Sequence, residues 1–226
     1  MSDNKRKTAI TIIVIFDCML MYFIEMYVKP GYMTKSIYKI FLFAVLPMIY
    51  CAFDKNIRFK EYFTVKDKRQ IKISAALGIG VYLFILAGYF VLKSFINLDN
   101  IALQLNKNLN VNRDNFLFVA LYISFINSML EELFFRGFCF LTLLKNTSRT
   151  YAYLISAFAF SVYHVSILAN WFNAILFITF ILGLFAAGML FNFLNERYNN
   201  IYNSWIVHMC ANFSINTIGF MMFGMI

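Results

Sequence analysis

Seven long apolar runs account for most of this chain, near Thr8 to Val28, Ser36 to Phe53, Ile73 to Phe95, Phe116 to Leu144, Tyr151 to Ala169, Phe172 to Leu194 and Ile201 to Phe223. A bilayer core about 30 Å thick is crossed by roughly 20 residues of α-helix. Within hydrocarbon every backbone N–H and C=O needs an internal partner, which only helices and closed barrels provide. Runs of this length predict an all-α polytopic integral membrane protein of about seven transmembrane helices, with an eighth if one segment is split or re-entrant. Composition agrees: 62% of residues are hydrophobic, 14% are charged and the mean hydropathy is +0.69. The spans leave little of the 226 residues over, so the expectation is one membrane domain over residues 1–226. The fourth run exceeds a straight span, which predicts tilt, a kink or extension beyond the bilayer.

The net charge of +9 raises the question of nucleic acid. The basic residues, however, gather between apolar runs, at Lys5 to Lys7 and from Lys55 to Lys72, and are not spread over a groove. That distribution points to anionic lipid headgroups and a topology signal, and away from nucleic acid. With the N-terminus inside, the inner segments hold thirteen Lys and Arg residues, Arg6, Lys55 and Lys66 among them. The outer segments hold six: Lys29, Lys35, Lys39, Lys93, Lys107 and Arg113. This imbalance favours an N-in, C-out arrangement in a cell membrane.

Smaller features carry their own expectations. Cys18, Cys51, Cys139 and Cys210 sit singly in apolar runs and read as small apolar residues. Asp17 interrupts the first run and no small-residue cleavage site follows, so that run reads as a retained span. The Asn-rich stretch from Asn97 to Asn115, with Ile101, Leu103, Leu105 and Leu109, reads as an outer loop or a short interfacial helix. Gly78 and Gly80 suggest a close helix contact. Glu25 and Lys29 are four apart near an outer boundary and are expected to pair. Tyr198, Tyr202 and Trp205 read as interface anchors.

Ionisable residues inside apolar runs are costly and mark functional sites by default. The two histidines of the chain, His164 and His208, both lie in such runs, and the fourth run carries Glu131 and Glu132. Glu132 and Arg136 are four apart and share a helix face, so they are expected to pair. Glu131 is rotated about 100° from Glu132 and points to a different neighbour. This suggests one structural and one working carboxylate. Asn127, one turn before Glu131, is placed either to steer that carboxylate or to bond a neighbouring helix. In the fifth run Phe160 precedes His164 by one turn, and in the seventh Asn212 follows His208 by four. At a rise of about 1.5 Å per residue, Glu131 and His164 lie roughly 20 Å from the inner ends of their spans, Asn212 roughly 16 Å and His208 roughly 10 Å. Antiparallel helices would bring all four to overlapping depths, hydrated by a cavity opening to the cytoplasmic side.

These residues, in order and on separate helices, resemble the CAAX-protease and bacteriocin-processing (Abi) family of intramembrane proteases, which includes the type II CAAX prenyl endopeptidases. Its EExxxR, FxxxH and HxxxN elements correspond to Glu131, Glu132 and Arg136, then Phe160 and His164, then His208 and Asn212, within residues 116–212. The resemblance implies hydrolysis of a peptide bond in a membrane-associated peptide or protein. Glu131 would activate water with help from His164, while His208 and Asn212 would stabilise the oxyanion. Glu132, Arg136 and Phe160 would support them. Glu131, His164 and His208 also make a His₂Glu set of the zinc-hydrolase kind, and both a zinc mechanism and a metal-free one are consistent with the pattern. The short chain suits the prokaryotic members, linked with bacteriocin self-immunity and peptide maturation, as well as those acting on prenylated substrates. A non-catalytic scaffold or self-immunity protein on the same fold is the alternative. A proton-relaying transporter would be expected to show paired halves or broken helices, which the sequence lacks.

Overall fold

The computed structural model describes residues 2–54, 56–65, 67–169 and 171–226. Lys55 and Lys66, counted above among the inner charges, lie outside the described residues. The helices are α1 (Asp3–Val28), α2 (Tyr32–Phe53), α3 (Arg69–Phe95), α4 (Leu98–Leu109), α5 (Phe116–Asn146), α6 (Arg149–Leu168), α7 (Ala174–Tyr198) and α8 (Tyr202–Met222), with a 3₁₀ segment at Phe59–Phe63. There is no strand among the described residues. The protein is an all-α polytopic membrane protein.

Six of the helices, α1, α2, α3, α5, α6 and α7, are long and apolar enough to cross a membrane. The seventh expected span, α8, has 21 residues and so the length. Its apolar character is diluted by Asn203, Ser204, His208, Asn212, Ser214 and Asn216, all buried. These polar groups face other helices. Asn216 donates to the Ala120 carbonyl at 3.0 Å and Ser214 to the Tyr82 carbonyl at 2.9 Å. Inside a bundle such bonds replace the water that the groups forgo.

α5 runs through the centre of the bundle, and every residue from Glu132 to Leu141 is buried. Its length is taken up by two π-helical stretches, Ile123–Asn127 and Glu132–Leu141. Wider turns of this kind change which residues share a face and recur at functional sites. Around them pack Phe43, Phe134, Phe135, Phe138, Phe160 and Tyr163. Phe43 stacks on Phe134 with ring centroids 4.2 Å apart. The Asn-rich stretch forms α4, capped by the Asn97 side chain on the Asn100 amide at 2.9 Å and closed by Asn110 at φ 55°. Asparagine is among the residues that adopt this left-handed conformation most readily.

Small residues set the closest helix approaches. A Cβ on Gly78 would lie 2.7 Å from Cys210 Sγ, so α3 and α8 touch there, whereas nothing lies within 4 Å of Gly80. At Gly188 of α7 a Cβ would come 2.9 Å from the Ala157 Cα of α6, a backbone atom with no freedom to rotate away. Gly188→Ala is therefore expected to lower stability by about 1–3 kcal/mol through overpacking, read as a lower midpoint of thermal unfolding in detergent. Gly80→Ala, made in parallel, should leave the midpoint unchanged.

Several charges are internal partners where the sequence suggested free ends. Arg6 is buried and donates to Asp54 at 2.7 Å, to Asp3 at 2.8 Å and to Asn146 at 2.6 Å, joining α1 to both the end of α2 and the end of α5. Glu25 pairs with Lys35 at 2.6 Å and accepts from the Ser166 hydroxyl, while Lys29 closes α1 at φ 48°. The expected Glu25–Lys29 pair is replaced because the chain turns at Lys29 and α2 brings Lys35 closer. The Trp205 Nε1–H donates to Ser128 Oγ at 3.0 Å, stitching α8 to α5.

Asp54 lies just outside α2, and its carboxyl is held below the usual carboxylate range by the hydrogen bond from Arg6. A carboxyl with a depressed folded value contributes stability above its unfolded value near 4, and the contribution disappears as pH falls through the folded one. Asp54→Asn should therefore melt below wild type at pH 7, with the gap closing in acid below pH ~4.

Candidate active site

Four helices converge on Glu131, which is buried in the middle of α5. Its two carboxylate oxygens have opposite surroundings. Oε1 accepts from Lys39 Nζ at 2.5 Å and from Asn127 Nδ2 at 3.0 Å. Oε2 has no hydrogen-bond partner among the described residues and faces His208 Nε2 at 3.6 Å and His164 Nε2 at 3.8 Å. Both separations exceed a direct hydrogen bond.

The imidazoles are oriented from behind. His164 sits where α6 breaks after Tyr163, with Nδ1 2.7 Å from the Phe160 carbonyl. A carbonyl only accepts, so Nδ1 carries the hydrogen. His208 Nδ1 lies 2.9 Å from Glu132 Oε1, which assigns its hydrogen in the same way. When neutral, both rings therefore turn an Nε2 lone pair toward Glu131. The Phe160 ring meets His164 edge-on at 4.8 Å and His208 at 5.8 Å, and Phe191 stacks on His208 at 5.4 Å.

Glu132 and Arg136 are both fully buried and lie 3.5 Å apart, Oε1 to Nη1. This is an ion pair without a hydrogen bond: the three guanidinium nitrogens and Glu132 Oε2 have no hydrogen-bond partner among the described residues. Aromatic faces take up the guanidinium, with Cζ 4.0 Å from the Phe160 ring and 4.9 Å from that of Phe191. Such cation–π contacts are strongest when desolvated. Phe160 thus touches Arg136 and both histidines. Asn212 donates to the Ile123 carbonyl at 3.2 Å, which leaves its amide one further hydrogen.

The structure brings together Glu131, His164, His208, Glu132, Arg136 and Phe160, and places Asn212 between α8 and α5. Asn127 takes both roles its position allowed, donating to Glu131 Oε1 at 3.0 Å and accepting from Lys39 of the neighbouring α2 at 2.6 Å. Asp17 is buried with neither oxygen hydrogen-bonded, and it pairs with no basic side chain, among the described residues. Two residues escaped the sequence reading. Lys39 was counted as an outer topology charge, yet it is buried against Glu131. Its place inside the second apolar run was the available signal, by the same rule that marks Glu131. Phe191 had none, being one of 28 phenylalanines. A cavity of about 90 Å³ lies at the end of the bundle where α1 closes, lined by Glu25, Lys35, Gln104, Asn108, Ser166 and Trp171 and by none of the site residues.

Glu131, His164 and His208 meet around Oε2 of Glu131 at 3.6 and 3.8 Å, with Lys39 on the other carboxylate oxygen. Among the described residues no three His, Cys, Asp or Glu side chains group closely enough to hold a metal ion. The carboxylate that would anchor it already carries an ammonium at 2.5 Å. A dication about 2 Å from Oε2 would repel that ammonium at short range in a desolvated site. The residues present do not fit a metal, and no step below runs through one.

Residues 113–214 match the family model of the Type II CAAX prenyl endopeptidase Rce1-like proteins. Over that segment the chain is similar to the CAAX protease family. The matched segment contains every motif residue from Glu131 to Asn212, while α1, α2 and α3 lie before it. No curated protein and no solved structure matches the chain. The fold is that of a multi-pass membrane protein, and the matched segment is similar to a membrane protease family.

Proposed function

We propose that this protein is an intramembrane endopeptidase that hydrolyses a peptide bond in a membrane-associated peptide or protein, with Glu131 as general base. The observation that carries this reading is the unbonded Oε2 of Glu131, faced by two imidazole nitrogens at 3.6 and 3.8 Å. Three acceptors around one small space form an environment for water. A water within reach of all three has polar partners for both of its hydrogens, which is what holds a buried water in place. Its oxygen lone pair is then left to attack a carbonyl as Glu131 takes the proton.

His164, its Nδ1–H bonded to the Phe160 carbonyl, orients that water. His208 accepts at Nε2 when neutral and becomes a donor there only after taking up a proton, with Glu132 accepting its Nδ1–H in either form. Once Glu131 passes the proton taken from water to His208 Nε2, 3.6 Å away, the protonated His208 and the second amide hydrogen of Asn212 serve as donors to the tetrahedral oxyanion, and the leaving amine takes that proton as the C–N bond breaks. Donors of this kind contribute roughly 3–4 kcal/mol each in other hydrolases. Glu132, Arg136 and Phe160 hold His208 in place without touching substrate.

A quenched fluorescent peptide library, presented to the purified protein in detergent or lipid nanodiscs, tests this reading. Cleavage by wild type that is lost in Glu131→Gln supports it. Cleavage that persists in the variant, or no cleavage by wild type, overturns it in favour of a scaffold or immunity protein on the same fold.

A further inference from the structure

We propose that Lys39, in α2 and outside the segment that matches the family, is a positioning residue for Glu131: its ammonium supplies the positive charge that a metal would otherwise bring, and it fixes which carboxylate oxygen is left for water. The inference rests on the endopeptidase reading above.

A lysine in the second apolar run would ordinarily extend to the interface. Lys39 instead is 3% exposed, with Nζ enclosed on every side that the structure describes. It donates to Glu131 Oε1 at 2.5 Å and to Asn127 Oδ1 at 2.6 Å, and it lies 4.7 Å from the Tyr163 ring and 5.4 Å from that of Phe43. An ammonium has three hydrogens, and these contacts account for two strong bonds and a π face. Asn127 closes the arrangement by donating to the same Oε1 at 3.0 Å. Two donors on one oxygen and none on the other fix the rotation of the carboxylate. Oε2 consequently points at both histidines and nowhere else.

The arrangement is built by the π-helical turns. The stretch Ile123–Asn127 ends on Asn127, and Phe41–Val45 begins two residues after Lys39. For helix packing alone a methionine or leucine at position 39 would suffice, because a buried ion pair seldom stabilises more than an apolar pair of the same shape. A lysine there is better explained by its effect on the carboxylate it touches.

The experiment compares Lys39→Met, which keeps the stem and removes the charge, and Lys39→Ala, which leaves a space the size of n-propylammonium, with wild type and Glu131→Gln. Expected for Lys39→Met is a roughly 10- to 100-fold loss of kcat with KM nearly unchanged, the scale seen when a residue that orients a reacting group is removed. In Lys39→Ala, added n-propylammonium should restore part of the rate, n-propanol should not, and zinc should not. A purely structural lysine would give no such amine-specific rescue. Wild type should cleave equally with a strong chelator present. Lys39→Met turning over at the wild-type rate while Glu131→Gln is inactive would overturn this proposal alone. So would rescue of Lys39→Ala by zinc, or loss of wild-type cleavage to the chelator. Full activity in Glu131→Gln, or no cleavage by wild type, would overturn the endopeptidase reading and this proposal with it.

Discussion

Glu131→Gln should reduce peptide cleavage by roughly 10²–10⁴-fold, the range expected when a positioned general base is removed. The amide keeps the size of the side chain and its oxygen can still accept from Lys39 and Asn127, but its second polar group is then an NH₂, which only donates and cannot take a proton from water. The substitution also leaves the Lys39 ammonium buried without its counter-charge, and breaking one side of a buried pair typically costs about 3–5 kcal/mol. Activity and stability should therefore fall together in the single variant. The double variant Glu131→Gln, Lys39→Met separates them, because both charges go at once: its melting midpoint should recover much of the loss while cleavage stays at the level of the single variant. Recovery of cleavage in the double variant would show that stability, and not the base, was limiting.

Arg136→Ala should be the most destabilising single change in the site. The guanidinium is fully buried between Phe160 and Phe191, at 4.0 and 4.9 Å, and 3.5 Å from Glu132. Its removal leaves Glu132 as an uncompensated buried charge, at about 3–5 kcal/mol, and adds a cavity between two aromatic rings. At about 2–4 °C per kcal/mol for a chain of this size, the melting midpoint should drop by roughly 10 °C. Arg136→Lys should not restore it, since an ammonium lacks the planar face that stacks between two rings. Glu132→Ala should show a milder form of the same loss, together with weakened cleavage as His208 loses the partner that orients it. Circular-dichroism melts in one detergent, paired with the peptide assay, distinguish these outcomes.

Much of the architecture was readable because a bilayer leaves few options. Apolar runs long enough to span it must become helices, and seven of the eight helices coincide with the seven runs. The site was readable for a related reason: charge and imidazole are so unfavourable in hydrocarbon that Glu131, His164 and His208 stand out where they would pass unnoticed in a soluble domain. Pairing was less legible. Glu132 and Arg136, four apart on one helix, were found from spacing alone. Glu25 with Lys35, Arg6 with Asp54 and Lys39 with Glu131 are partnerships between different helices, which no local spacing encodes. Each of these cations was counted as a topology charge because a basic residue near a span end looks the same whether it meets water or a carboxylate. Setting Arg6 and Lys39 aside removes one charge from each side of the N-in tally, so the imbalance on which that orientation rests is kept.

Local hydrophobicity and residue type act over a few turns at most, and they suffice for the helices, their number to within one, and the set of polar residues a hydrolase would need. The tertiary structure decided how those residues are used. Only the packing of α2 against α5 puts an ammonium on Oε1 of Glu131, and only the approach of α6 and α8 turns two imidazole nitrogens toward Oε2. A carboxylate has two equivalent oxygens in the sequence. The bundle makes them different, by giving one its hydrogen bonds and leaving the other open.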